Sequence, residues 1–372
     1  MAIKDGFTEP IESEQADQQS SLKAYEILTY PADFTLEVLV GKWNRGEIKL
    51  AQGQRNYVWN QIKASKLIES FLMGLPVPPI YLYTDPEDGK LLVVDGQQRL
   101  RTIVYFFTGL FGEETETHKP QYFSLEGLDD TSPYRGMTFR KLAETDEVGY
   151  HKLKNAVLRS FQMKQILPED DTSIYQVFER LNTGGMILQP QEIRNCIYDG
   201  RFNSLLKELN RQQNWRLILG RSAPDTRMRD IELILRFFAT FNNVANYKRP
   251  MKKFLNDYMK ANRRPSHDER LELESLFTRT CNAVLKILGN RPFHLTRSLN
   301  AAVYDSVFVA FARHLDEVDR PDITEPEIHN LKSHFRQLRA DDQYKEWVIS
   351  HTTDQEVVPN RINKAERVLF GN

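Results

Sequence analysis

With 372 residues, 40% of them apolar and 27% charged, the chain is long enough for two domains and has the composition of an ordinary folded protein. A net charge of −1 excludes a general electrostatic pull onto nucleic acid or an anionic membrane, so any such surface has to be a local patch. Two cysteines, Cys196 and Cys281, exclude a disulfide framework and a cysteine-based zinc site. No apolar run reaches the length of a membrane span or a secretory signal, so the expectation is a cytoplasmic protein with no membrane partner.

Taken in chain order, residues 1–32 open on polar and acidic residues and read as a loose tail. Over 33–46, Phe34, Leu36, Leu39, Val40 and Trp43 recur at helical spacing, and 48–50 reads as a short strand. Asn60 is placed to cap a helix whose buried stripe is Ala64, Leu67, Ile68, Phe71 and Leu72, stopped by Gly74 and Pro76. Residues 80–83 and 91–94 form a hairpin around turn chemistry at 85–89, the second strand apolar throughout, as for a strand covered on both faces. A helix follows with Leu100, Ile103, Val104 and Phe107 inward and Gly109 at its end. Residues 112–172 carry many charges and turn formers and read as an insertion around one strand, 161–167. Thr172 or Ser173 caps a helix running to about 181, 182–185 is a loop, and Pro190 sits in the first turn of the next helix. From 201 onward the strong signals are helical, over 231–241, 251–259, 271–288, 301–315, 325–338 and 354–369. The expected organisation is a tail (1–32), an α+β domain (33–200) and an α-helical domain (201–372).

Three stretches carry residues suited to chemistry. In the first, Asp95-Gly96-Gln97-Gln98-Arg99 follows a buried strand and opens a helix. Unpaired backbone amides and the positive end of a helix dipole then meet at a glycine that lets a phosphate approach. Arg99 adds a fork of donors, and Asp95 suits a metal-bound water or a ribose hydroxyl. The plainer reading is a buried Arg–Asp pair that pins a strand-to-helix turn. In the second, Asn182, Thr183, Gly184 and Gly185 between helices can form an anion nest, with Glu192 in the next helix; the plainer reading is a glycine-capped corner. In the third, Arg55 of Gln54-Arg55-Asn56-Tyr57-Val58-Trp59 can reach a phosphate while Tyr57 or Trp59 stacks on a base. The alternative there is aromatic core packing.

The ordered set of these three stretches, with Pro78-Pro79-Ile80-Tyr81-Leu82 between them, resembles the N-terminal domain family of GmrSD-type, modification-dependent restriction endonucleases. The likeness is strong over about 35–200 and weak into 228–237 and 253–258. It implies membership of the ParB/sulfiredoxin-like superfamily: a small mixed sheet with helices, followed here by the mostly α-helical domain. It implies triphosphate binding from Gly96 to Arg99; with the three stretches above, the candidate nucleotide-binding residues are Gln54, Arg55, Tyr57, Asp95, Gly96, Gln97, Gln98, Arg99, Asn182, Thr183, Gly184 and Gly185, with Asp95 and Arg99 as candidate catalytic groups. By the same resemblance Asn182 and Glu192 hold Mg²⁺ or another divalent cation that accompanies the NTP. Leu181 stands where the related motif has an acid, which puts ParB-like metal ligation in doubt unless Glu179 or Asp95 substitutes.

The eight histidines are scattered and form no HNH-like nuclease cluster, so cutting would come from a separate nuclease or defence subunit, or from the first domain itself. A basic stretch over 247–265 includes Lys252, Lys253, Arg263 and Arg264, interleaved with Tyr247, Phe254 and Tyr258. It suits a DNA backbone, or else is a solvated helix face burying its aromatics. Three functions stay open: an NTP-binding, NTP-hydrolysing regulator of anti-phage or restriction-type defence acting with or on DNA; a non-enzymatic DNA or nucleotide sensor; and a metal-dependent endonuclease using the same pocket.

Overall fold

The computed structural model describes residues 26–50, 57–85, 88–112, 119–167, 177, 189–295 and 298–371. It is α+β, a small mixed sheet with helices followed by a largely helical region. The described residues up to Ile197 make one compact unit and those from Tyr198 another. The tail before residue 26, Gln54, Arg55, the 172–181 helix apart from residue 177, and the Asn182–Gly185 loop lie outside the described residues.

The first unit runs β1 (Glu26–Pro31), β2 (Phe34–Thr35), α1 (Leu36–Asn44), β3 (Ile48–Leu50), α2 (Gln61–Met73), β4 (Ile80–Thr84), β5 (Leu91–Asp95) and α3 (Gln97–Thr108). Then come β6 (Leu110–Phe111), β7 (Gln121–Tyr122), α4 (Phe139–Thr145), α5 (Glu147–Asn155), β8 (Val157–Leu158), β9 (Ser160–Leu167) and α6 (Pro190–Ile197). The five-stranded sheet has the order β1-β9-β4-β5-β3. The β1–β9 and β4–β5 pairs are antiparallel, while β9–β4 and β5–β3 are parallel. Leu91, Leu92, Val93 and Val94 are all buried, as their unbroken apolar run requires of a strand covered on both faces. Alternation along β4 sends Ile80 and Leu82 into the core that α1, α2 and α3 cover, and Tyr81 and Tyr83 to the other face.

Local chemistry explains the boundaries. Asn60 accepts from the Lys63 N–H (2.9 Å) and caps α2, and Gly74 ends it in the left-handed region. Thr35 caps α1, so the apolar residue Phe34, read as helical, lies instead in the strand β2. Glu26–Pro31, within the stretch read as tail, pairs along its length with β9. The supposed insertion holds two helices besides its strand. Their apolar content is low, and Leu142 and Leu153 carry the burial, but Thr138 and Asp146 cap them by accepting from Lys141 and Gly149 N–H groups. In α3 the fully buried aromatic is Phe106. Phe107 is partly exposed and stacks on Phe139 at 4.4 Å.

The second unit is helical: α7 (Arg201–Leu209), α8 (Gln213–Leu219), α9 (Arg229–Asn243), α10 (Met251–Ala261), α11 (His267–Leu288), α12 (Ala301–Arg313), α13 (Leu315–Val318), α14 (Glu325–Ala340), α15 (Asp342–Ile349) and α16 (Val357–Phe370). Its centre is aromatic, with Trp215, Phe237, Phe277, Tyr304 and Phe308 in mutual ring contact. The expected 301–315 helix breaks after Arg313, and Leu315 belongs to α13. Helix α16 begins at Val357, three residues later than expected, so Pro359 falls in its first turn, where no intrahelical N–H is needed. The longest helix, α11, starts at Ser266 with a reciprocal cap: Glu269 N–H donates to Ser266 Oγ, and Ser266 N–H donates to Glu269 Oε2. Ser266→Ala is expected to cost about 1 kcal/mol, read as a shift of the urea midpoint at constant slope. No helix among the described residues is long and apolar enough to cross a membrane.

Candidate functional site

The strongest constellation forms where β5 hands over to α3. Gly96 has φ +96°, and a Cβ there would stand 2.2 Å from Ile80 Cγ2. Glycine is therefore required on two counts, backbone region and space. The turn leaves the first amides of α3 without intrahelical acceptors at the C-terminal edge of β5. Arg99, one turn into the helix, folds back over this edge. Its Nη2 donates to Asp95 Oδ2 (2.8 Å) and to the Pro79 carbonyl (3.0 Å), tying α3 to the ends of β5 and β4. The plainer expectation, an Arg–Asp pair pinning the turn, is thus met in geometry. It does not use up the group: among the described residues the buried Nε of Arg99 has no partner. The Asp95 side chain is 39% exposed and that of Arg99 17%, so the carboxylate faces solvent while the guanidinium is mostly enclosed.

The neighbouring glutamines face different ways. Gln97 is buried. Gln98 Oε1 accepts from the backbone N–H groups of Val58 (3.0 Å) and Trp59 (3.4 Å), holding the 57–59 segment against α3. Tyr57 shares a 2.7 Å hydrogen bond with Thr102 Oγ1, and its ring meets Tyr105 and Phe111 edge to face at 4.9 and 5.5 Å. Burial pushes its phenol up to about 12, only partly offset by the Thr102 hydrogen bond. Tyr57 therefore packs against the core and is not set as a base-stacking surface. Trp59 is partly exposed, with Lys63 Nζ 4.6 Å from its ring centre.

Glu192 is buried, and its Oε2 accepts from the Gln189 N–H at 2.5 Å, closing the start of α6. That is a helix-capping carboxylate, and among the described residues no group of three or more His, Cys, Asp or Glu is arranged to hold a metal. Asp95, exposed at the Gly96 corner, is the carboxylate there that can meet a cation carried on a phosphate chain.

On the basic stretch, Phe254, Leu255 and Tyr258 of α10 are buried, so the interleaved aromatics serve the core. Arg263 is corrected. It is buried and its Nε donates to the Asp199 carbonyl at 2.8 Å, so it is not placed to meet a phosphate. Lys252 and Lys253 are partly exposed, Lys253 pairing with Asp257 at 2.5 Å, and Arg264 is exposed.

Sequence reasoning missed Pro79, whose carbonyl anchors Arg99, and the stacked pair Tyr81 and Phe161, 5.5 Å apart. Alternation along β4 was a usable signal for Tyr81; nothing in the sequence marked the carbonyl.

Residues 36–198 match the family described as GmrSD restriction endonuclease, N-terminal domain. This stretch belongs to that family. The match starts with α1, ends just past α6, and contains the whole Gly96 corner. The GmrSD-type domain links the chain to restriction-type defence. No curated protein and no solved structure gives a significant match.

Proposed function

We propose that this protein is an NTP-binding and NTP-hydrolysing regulator of a restriction-type defence system, acting with or on DNA. The observation that carries the reading is the Gly96 corner. A left-handed glycine gathers the opening amides of α3 beside a mostly enclosed guanidinium whose buried Nε has no partner among the described residues. Such a concentration of donors suits phosphate oxygens, and the family match supports the restriction setting. Arg99 would clamp the phosphates. A divalent cation, arriving on the nucleotide, would neutralise their charge with Asp95 as its protein carboxylate. Arg99→Ala is expected to weaken NTP binding roughly 10- to 150-fold, from the roughly 1.5–3 kcal/mol of a hydrogen bond to a charged group. Isothermal titration with each NTP reads this, and unchanged affinity with a normal melting curve removes the assignment. The pairing of Asp95 with Arg99 favours a second reading, nucleotide sensing without hydrolysis, because it engages the exposed carboxylate at the corner. Phosphate release from the bound NTP, with and without DNA, separates the two.

For DNA, Lys252, Lys253 and Arg264 remain of the four basic residues expected to meet phosphates. Neutralising all three is expected to lower the log–log salt slope of DNA binding by about one unit for each phosphate contact removed. Equal slopes in a fluorescence-anisotropy salt titration would mean a solvated helix face and nothing more.

A further inference from the structure

We propose that Tyr81 and Phe161 form the stacking surface for the base of the nucleotide whose phosphates dock at the Gly96 corner. The inference rests on the nucleotide reading above and adds the subsite for the rest of the ligand. Tyr81 on β4 stands opposite Asp95 on β5 and opposite Phe161 on β9. Cross-strand partners share a face, so Asp95, Tyr81 and Phe161 form a row across three strands, at the end of the sheet where α3 begins. The β4–β5 register shifts between Tyr81 and Leu82, which makes Val94 the extra residue of a bulge beside Asp95. Bulges of this kind re-aim side chains next to sites.

The two rings lie nearly parallel, 20° apart with centroids at 5.5 Å. Both are partly exposed, whereas the next pair on the same face, Tyr83 and Met163, is 3% and 4% exposed. Of these two described β4–β9 pairs, the partly exposed one is thus in the row that contains Asp95. Neither ring belongs to the core cluster, and the Tyr81 hydroxyl has no hydrogen-bond partner among the described residues. Tyr57 is excluded from the same role by its contacts with Tyr105, Phe111 and Thr102. From Asp95 to Phe161 is two strand spacings, about 10 Å. A nucleotide anchored by its phosphates beside Gly96 lays its ribose over Asp95 and its base on Tyr81. Stacking accepts any base, because each has a π face, so the surface supplies affinity with little discrimination among NTPs.

The test is isothermal titration of the full chain with ATP and, separately, inorganic tripolyphosphate, on wild type, Tyr81→Leu, Tyr81→Phe and Arg99→Ala. Leucine keeps apolar bulk on the central strand β4, and a melting curve checks each variant. Tyr81→Leu is expected to bind ATP about 5- to 150-fold more weakly, the effect of losing one stacking ring, with tripolyphosphate affinity unchanged. Tyr81→Phe is expected to bind ATP like wild type. If Arg99→Ala loses ATP while Tyr81→Leu binds it normally, the stacking surface is wrong and the phosphate site stands. If Tyr81→Leu weakens ATP and tripolyphosphate equally, the ring only supports the corner and the proposal fails. If wild type binds no NTP, the nucleotide reading itself falls and takes this one with it.

Discussion

Replacing Asp305 with alanine is expected to destabilise the helical unit by about 3–5 kcal/mol, the cost of breaking a buried ion pair by removing one partner. Asp305 on α12 is fully buried and faces two guanidinium groups that are almost as deeply enclosed. Arg236 on α9 donates through Nε to Oδ1 (3.2 Å) and through Nη2 to Oδ2 (2.5 Å), while Arg361 Nη2 on α16 lies 3.7 Å from Oδ2. Arg361 also donates to the Trp347 and Thr352 carbonyls. Burial opposes the charge on both arginines. At Arg236 the Asp305 charge and hydrogen bond outweigh it and raise the pKa; at Arg361 burial wins and lowers it. Nη1 of Arg236 and Nε of Arg361 have no hydrogen-bond partner among the described residues, and Asp305 is the carboxylate that meets both buried cations. Urea unfolding followed by far-ultraviolet circular dichroism would show the midpoint shift. A loss under about 1 kcal/mol, the ceiling typical of exposed pairs, would mean that water reaches the network and screens it.

Gly96→Val is expected to cost the sheet unit about 2–5 kcal/mol, from roughly 1–2 kcal/mol for a left-handed backbone and 1–3 kcal/mol for overpacking. The clash is with a β-branched core residue, Ile80, whose Cβ would lie 2.8 Å from the new atom, so no flexible tip can move aside. Gly74 supplies the control. Its φ is +77°, but a Cβ there meets nothing within 4 Å, so Gly74→Ala carries only the backbone cost of roughly 1–2 kcal/mol. Thermal melts of both variants measure the difference. Equal losses would show that the corner has room to relax, and the tight approach of β4 to α3 would lose its role in placing Arg99.

The elements and caps of the first unit were largely legible because they rest on local chemistry. Asn60, Gly74 and Gly109 act within a turn of where they stand, and a run such as Leu91–Val94 needs a strand covered on both faces whatever surrounds it. The helices α4 and α5 were lost because each buries one leucine, too little to give a period. Strand β1 was lost for a related reason. It is an edge strand with most side chains exposed, and only its pairing with β9, more than a hundred residues away, makes it a strand.

The sequence by itself determined the α+β order of elements, the glycine at the β5–α3 corner, the Asp95–Arg99 pair and the membership of 36–198 in the GmrSD N-terminal domain family. All of these are written in residues close together in the chain or in a fixed order along it. Only the tertiary structure decided which aromatic lies beside Asp95 and which is committed to the core. The sequence pointed to Tyr57 for stacking and gave no such role to Tyr81. Cross-strand register puts Tyr81 next to the carboxylate, while packing against α3 closes Tyr57 in. Likewise, Arg263 and Arg264 are neighbours of the same charge, yet the fold turns the first inward to a backbone carbonyl and leaves the second exposed. Such choices depend on what other parts of the chain bring to the same place, and no local pattern carries that information.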